Sequence, residues 1–425
     1  MGTSSTGPRD WNWAEATRSD RTLEYLYSAD PPSPVTTLWT YPWTLRREGV
    51  DDACERITSM GFDGINLASH YHSVRGMQPR FPDAMFERYP GGCWFDPDSD
   101  EFADTAVEPP VNRLDGWDDP LAEVTHRADD HGLDVNAWTV LMHNSRLGHE
   151  NPAFRVRTAF GDAHDNSLCP SYPDVRAYFA AVVRSVVDRG VAEVQFERLG
   201  YPSVFHGHGH DFGHDKRMAL TSDTEEALAS QCFCDGCRRA AADHAVDLEA
   251  ARELVRELLT ESFAAPHTDP PELGALVARH PTLADLFDFR ASVVTRHLEA
   301  LREAAGSVPI NCFAMNGVVG SPNASGWSAG VRFDDLEPLI ERATAICYVA
   351  DPAEAVSRVR TLDRNLDVTV DAGVTLNPSV IDSREQLLAL VGALEDAVSG
   401  RLQVYHDSFL TDAQLEWVEA AVGDA

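Results

Sequence analysis

Val191-Ala192-Glu193-Val194-Gln195-Phe196-Glu197-Arg198-Leu199-Gly200-Tyr201 alternates in character and stops at a carboxylate. Val194 and Phe196 share one side of the run, as period-two strand residues do. Gly200 and Pro202 then break it, so Glu197 is expected where a strand gives way to a loop. Ahead of it, Val175, Tyr178, Phe179, Val182, Val183 and Val186 recur at helical spacing over Pro173 to Arg189. In a chain that alternates strand and helix, a carboxylate at a strand end is an active-site position of barrel enzymes. The plainer reading is a Glu that caps a helix or pairs with an Arg.

The alternation extends in both directions from this stretch. Strand-like runs are expected at Val35–Tyr41, Gly64–Ser69, Asp134–Leu141, Val308–Ala314, Thr344–Ala350, Asp367–Asp371 and Arg401–Asp407. Helical patterns separate them: Val50–Met60, Leu121–His131, Asp247–Phe263, Leu283–Ala305, Asp334–Arg342, Pro352–Leu362, Ser383–Val398 and Thr411–Val422. Eight strands, each followed by a helix with no reversal, read as an α/β (β/α)8 TIM barrel with long loop insertions after strands 2 and 4. Residues 35–425 are then one catalytic barrel with insertions at about 70–115 and 200–245, behind a polar, partly disordered segment 1–34.

Composition narrows the partners. The chain has 68 Asp and Glu against 35 Lys and Arg, a formal charge of −33, and Lys216 is its only lysine. Such a surface repels nucleic acid and anionic membranes. It also repels itself unless concentrated salt screens it, the Debye length falling to about 3 Å at molar salt. The acid is spread along the whole chain, which reads as halophilic solvation of the fold. No segment has the apolar length of a membrane span and no signal peptide is evident, so a cytoplasmic location is expected. A homo-oligomer remains open.

A barrel places its chemistry at the strand ends. There the sequence offers Trp39 and Tyr41, His70 and His72, His143 with Asn144 and Arg146, Glu197, Asn316, Asp371 and Asn377, and His406 with Asp407. Glu197 and Asp371 are isolated carboxylates on strands four and seven. Glycosidic cleavage needs such a pair, one protonated to assist the leaving oxygen and one ionised to attack carbon or activate water. Trp39, Trp138 and Tyr201 offer apolar faces for a sugar ring. Asp371-Ala372-Gly373 is also a common turn sequence, which would leave Asp371 merely bonded to a loop.

Cys232-Phe233-Cys234-Asp235-Gly236-Cys237 sets three thiols where a tight turn can aim them at one tetrahedral ion. Cys169 is the first choice for a fourth ligand; His244 or a loop histidine is the second. A donor set drawn wholly from protein makes a structural zinc. The run His206-Gly207-His208-Gly209-His210-Asp211 continues to His214-Asp215-Lys216 after Glu197. Its imidazoles suit a divalent ion, sugar hydroxyls or general-base work, and a plain polar loop is the alternative.

The order helix, strand ending in Glu, long loop, then Cys-x-Cys-x-x-Cys with Arg238-Arg239 and a helix resembles the glycoside hydrolase family 42 β-galactosidases. More broadly it is similar to the clan of (β/α)8 retaining glycosidases. The likeness is local, covering roughly Cys169 to Arg239. It implies Glu197 as acid/base, Asp371 in the nucleophile's place, and Cys169 joining Cys232, Cys234 and Cys237 on zinc. That family carries Asn before the strand-four Glu and Glu on strand seven, where this chain has Phe196 and Asp371. The expectation is a glycoside hydrolase-like enzyme acting on a small-molecule or oligosaccharide substrate by a two-carboxylate mechanism. The alternatives are a metal-dependent sugar isomerase or hydrolase using the histidine loop, or a non-catalytic carbohydrate-binding barrel.

Overall fold

The eight barrel strands are β1 (Thr36–Thr40), β2 (Gly64–Tyr71), β3 (Asp134–Val140), β4 (Glu193–Glu197), β5 (Ile310–Ala314), β6 (Arg342–Ile346), β7 (Thr369–Thr375) and β8 (Leu402–Tyr405). The computed structural model describes residues 35–205, 218–219, 222–244, 246–265, 271–314 and 326–423. Each strand pairs in parallel with the next, and β8 returns to β1 through Leu38 opposite Val404, so the sheet closes on itself. Helices α1 (Val50–Ser59), α2 (Pro120–Asp130), α3 (Pro173–Val187), α4 (Pro281–Ala305), α5 (Phe333–Leu336), α6 (Pro352–Asn365), α7 (Arg384–Glu395) and α8 (Asp412–Val422) follow the strands in turn. This is the (β/α)8 barrel. No described helix is long and apolar enough to cross a membrane.

Period two sorts each strand into a helix-facing and an inward side. Leu38, Ile65, Leu67, Val135, Ala137, Val194 and Phe196 join the main apolar core with the helices. The inward side is polar to an unusual degree, since barrel interiors are usually filled with branched apolar residues. Asn66 donates to Thr37 Oγ1 at 2.9 Å and to Gln403 Oε1 at 3.2 Å, and accepts from Asn136 at 2.8 Å and Gln195 at 3.0 Å. Thr344 donates to Asn311 at 2.9 Å, and Gln403 Nε2 donates to Thr344 at 3.1 Å. These amides cross the barrel as a hydrogen-bonded disc, which limits the cost of burying them. Above it, Trp39, Trp138, Phe313 and Tyr405 form an aromatic layer, with ring centroids 5.6–6.3 Å apart.

Three boundaries differ from expectation. The Asp334–Arg342 helix shrinks to α5 and a turn of 3-10 helix at Glu337–Leu339, because Pro338 cannot continue an α-helix. β6 accordingly begins at Arg342. β7 runs on to Thr375 instead of turning at Asp371. Gly373 is a strand residue whose missing side chain makes room for Trp39: an added Cβ would lie 2.9 Å from Trp39 Cη2.

Between β2 and α2 the chain forms an antiparallel hairpin, Val74–Met77 with Phe86–Tyr89. Between β3 and α3 it forms a helix, Ser145–Glu150, and a hairpin, Arg155–Arg157 with Ala163–Leu168. His206, His208, His210 and Asn316, like segment 1–34, lie outside the described residues.

Candidate active site

A cavity of about 450 Å³ opens where the strands end, above the aromatic layer. Trp39, Trp138, Phe313 and Tyr405 rise from β1, β3, β5 and β8 to line it, with Tyr41, Tyr71 and Tyr348 just beyond β1, at the end of β2 and beyond β6. Glu197 closes β4 and is the only carboxylate among the described lining residues. Trp138 Nε1 donates to Glu197 Oε2 at 2.8 Å. Burial pushes the Glu197 carboxyl above its usual range, opposed in part by Arg198 and by the Trp138 hydrogen bond. A carboxyl raised by desolvation keeps its proton to higher pH than a solvated one, which is the direction a general acid needs.

The next residue, Arg198, holds the left-handed backbone conformation at φ 61°. A non-glycine residue there carries strain, a recurrent property of functional sites. Its carbonyl accepts from Met142 N at 3.1 Å, while the Glu197 carbonyl accepts from Leu141 N at 2.9 Å, so the turn is tied to β3. Tyr41 and Tyr71 hydroxyls lie 3.2 Å apart. Burial raises both phenols well above their ordinary value and pushes Tyr405 up to about 12, so all three remain neutral hydrogen-bond donors. His72 and His143 stack with centroids 4.8 Å apart on one wall.

Of the residues read from the sequence, Trp39, Tyr41, Trp138, His72, His143 and Glu197 meet in this cavity. The others have different places. Asp371 lies four residues before the end of β7, completely buried, where Arg342 grips it at 2.7 and 3.2 Å and Asn311, Gln403 and the Arg401 amide donate to it. Asn311 also reaches Glu193 at 3.3 Å, which sets Asp371 level with the start of β4. Four strand residues separate that level from Glu197, about 13 Å. The placement corrects the expectation that Asp371 faces Glu197 across the mouth: the strand does not turn where the Asp-Ala-Gly run suggested.

Asn144 caps the Ser145–Glu150 helix through Leu147 N and donates to the Tyr71 carbonyl. Arg146 pairs with Glu150 in a neighbouring groove. Asp407 is buried against Arg56 and Arg80 at 3.1 and 2.8 Å, and His406 stacks on Phe409 with centroids 4.8 Å apart and lies tilted against Tyr41 at 4.1 Å. Burial lowers His406 to about 3, so it stays neutral. His70 is a satisfied core histidine, bonded to the Val140 carbonyl and the Tyr178 hydroxyl. Sequence reading missed Tyr71, Tyr348, Tyr405, Phe313, Arg75, Arg88 and Arg198. Period two from Gln403 would have found Tyr405; a register shift in β2 between Ala68 and His70 hides Tyr71.

Outside the cavity, Cys169, Cys232, Cys234 and Cys237 bring four buried sulfurs within 4.8 Å of one another. Cys169 Sγ lies 3.6 Å from Cys237 Sγ and 3.8 Å from Cys232 Sγ. Four ~2.3 Å bonds in a tetrahedron require sulfurs about 3.8 Å apart, so the set fits a zinc-sized ion with no open position. His244 is not part of it; its ring meets Arg296 at 2.8 Å.

No protein-family model matches the chain. No curated protein matches it either. Solved structures do. A β-galactosidase from the psychrophilic Marinomonas ef1 superposes with a TM-score of 0.54 at 8% identity, over 92% of this chain and 59% of that one. A β-galactosidase from Bacillus circulans sp. alkalophilus gives 0.52 at 11%, over 92% and 56%. An α-L-fucosidase isoenzyme 2 from Paenibacillus thiaminolyticus gives 0.50 at 12%, over 87% and 45%. The chain therefore spans about half the length of these proteins, and at such identities the likeness establishes a shared (β/α)8 barrel.

Proposed function

We propose that this protein is a carbohydrate-acting barrel enzyme of the glycoside hydrolase type, with Glu197 as its general acid/base. The observation that carries the reading is the desolvated Glu197 at the end of β4, the one carboxylate among the described lining residues, fixed by Trp138 in a cavity walled by aromatic rings. Aromatic faces pack against the C–H surfaces of sugars, and neutral tyrosine hydroxyls donate to sugar oxygens. The β4 position of Glu197 and the four-cysteine set are also the points of likeness to family 42. The structural role falls to zinc on Cys169, Cys232, Cys234 and Cys237, which would tie the loop after β4 to the hairpin after β3.

Asp371 has no part in this proposal, and the mechanism rests on one identified carboxylate. That single carboxylate among the described lining residues favours a second reading, a barrel that binds carbohydrate without cleaving it. Metal-dependent chemistry on the histidine loop would involve residues outside those described. Release of sugar from a panel of aryl and natural glycosides, before and after chelation, separates these readings. Cleavage that survives chelation and falls on the order of 10²–10⁴-fold in Glu197→Gln supports a general acid. Saccharide binding with no turnover supports the second reading, and cleavage indifferent to Glu197→Gln removes this residue from the chemistry.

A further inference from the structure

We infer that Tyr405 is a further catalytic residue, whose hydroxyl donates to the glycosidic oxygen as it leaves; this rests on the glycoside hydrolase reading above. Tyr405 ends β8, where period two from Gln403 turns it inward above the hydrogen-bonded disc. Gln403 is itself fixed, donating to Thr344 at 3.1 Å and to Asp371 at 2.8 Å. The Tyr405 ring is caged by Trp39 and Trp138 at 6.0 Å, Tyr348 at 5.7 Å and His406 at 4.9 Å between centroids. A caged ring holds its hydroxyl in one place, so the bond it makes costs little reorganisation when charge develops.

Two more phenols stand behind it. Tyr41 and Tyr71 are buried with their hydroxyls 3.2 Å apart, and both are hydrogen-bond partners of the Tyr405 hydroxyl. Burial and the charge of Glu197 raise the Tyr405 phenol, while the bonds from Tyr41 and Tyr71 draw it back, leaving it at about 12. Tyr41 and Tyr71 themselves stand well above their ordinary value, chiefly through burial. Negative charge is therefore borne best on the Tyr405 oxygen, and its O–H is the strongest donor of the three. Donation from Tyr41 and Tyr71 to Tyr405 keeps their protons inside the group, and the Tyr405 proton is left for the cavity that all three line.

Trp138 brings this group and Glu197 to one place. Its Nε1 donates to Glu197 at 2.8 Å, while its ring meets that of Tyr71 at 4.5 Å and those of Tyr41 and Tyr405 at 6.0 Å. As the glycosidic bond breaks, its electron pair stays on the departing oxygen and the Glu197 proton moves to that atom. Negative charge gathers on the oxygen until the proton arrives. Tyr405 donates a hydrogen bond there and keeps its own proton, so one proton is transferred and the sugar leaves as an alcohol. A fixed neutral donor favours that charge more than it favours the ground-state ether, and this difference lowers the barrier.

Tyr405→Phe keeps the ring and removes the hydroxyl, and a series of glycosides from dinitrophenyl to alkyl leaving groups tests it. On alkyl glycosides kcat/KM, which reports bond breaking, should fall on the order of 10²-fold, the size of one lost oxyanion donor. The loss should nearly vanish on dinitrophenyl glycosides, whose leaving oxygen needs no donor. A second variant with 3-fluorotyrosine in place of Tyr405, a more acidic phenol of similar shape, should keep the wild-type rate on alkyl glycosides. A marked loss in that variant overturns the inference, even where Tyr405→Phe fails to fold. An equal loss on every leaving group assigns the hydroxyl to the sugar itself, and no loss assigns the ring to packing. Either result overturns the inference and leaves Glu197 and the carbohydrate reading standing, whereas a wild-type chain that cleaves no glycoside overturns both.

Discussion

Trp138 Nε1 donates to Glu197 Oε2 at 2.8 Å, so the residue that walls the cavity also tunes its only described carboxyl. The hydrogen bond favours the ionised form and opposes the desolvation that raises this pKa. If Glu197 acts as an acid, activity falls as pH rises through its folded pKa, giving an alkaline limb above the ordinary carboxylate range of about 4.3. Trp138→Phe removes the opposing bond and should move that limb to higher pH. A pH–rate profile of kcat/KM checks the direction; a limb displaced to lower pH contradicts the assignment. Stability follows the same sign, present below the unfolded pKa and lost as pH rises through the raised folded value.

Asp371→Asn should damage the fold and spare the chemistry. Asp371 is fully buried and holds Arg342 in two contacts, so its loss leaves a half-buried guanidinium without that partner. Breaking a buried pair from one side costs about 3–5 kcal/mol. Denaturant unfolding should register that loss, while turnover per folded molecule stays within a few-fold of wild type. A stable variant without turnover would return Asp371 to the active site.

The four-cysteine set should hold about one zinc per chain. Arg290 bears on it: the side chain is buried, its nitrogens have no hydrogen-bond partner among the described residues, and it stacks 3.6 Å over Tyr201, whose hydroxyl lies 3.4 Å from Cys169 Sγ. Four thiolates around a divalent ion leave a local negative charge that this cation would offset. Arg290→Met should therefore weaken zinc about 10–100-fold in chelator competition, the usual size of an outer contact's contribution. Unchanged affinity would mean that the guanidinium serves packing alone.

The fold should depend on salt. At a charge of −33, dilution lengthens the Debye length and restores repulsion among surface carboxylates. The melting temperature should rise markedly between low and molar salt, and a flat curve would remove the halophilic interpretation.

The alternation of strand and helix, the end of β4 at Glu197 and the cysteine cluster were all legible in the sequence. Each is written in local periodicity or spacing: period two in Val194 and Phe196, period 3.6 in Pro173–Val187, and three thiols in one turn. What the sequence could not determine is height within the barrel. Asp371 and Glu197 both looked like strand-terminal acids, yet one is level with the start of β4 and the other closes it. That height depends on where β7 ends, and its course past Gly373 is decided by Trp39, far away in the chain, which fills the space a side chain would have taken. The same holds for the tyrosines: Tyr41, Tyr71 and Tyr405 come from three separate strands or their ends and meet only because the sheet closes. Local pattern specifies an element and its faces; which faces converge on one cavity is a property of the closed barrel.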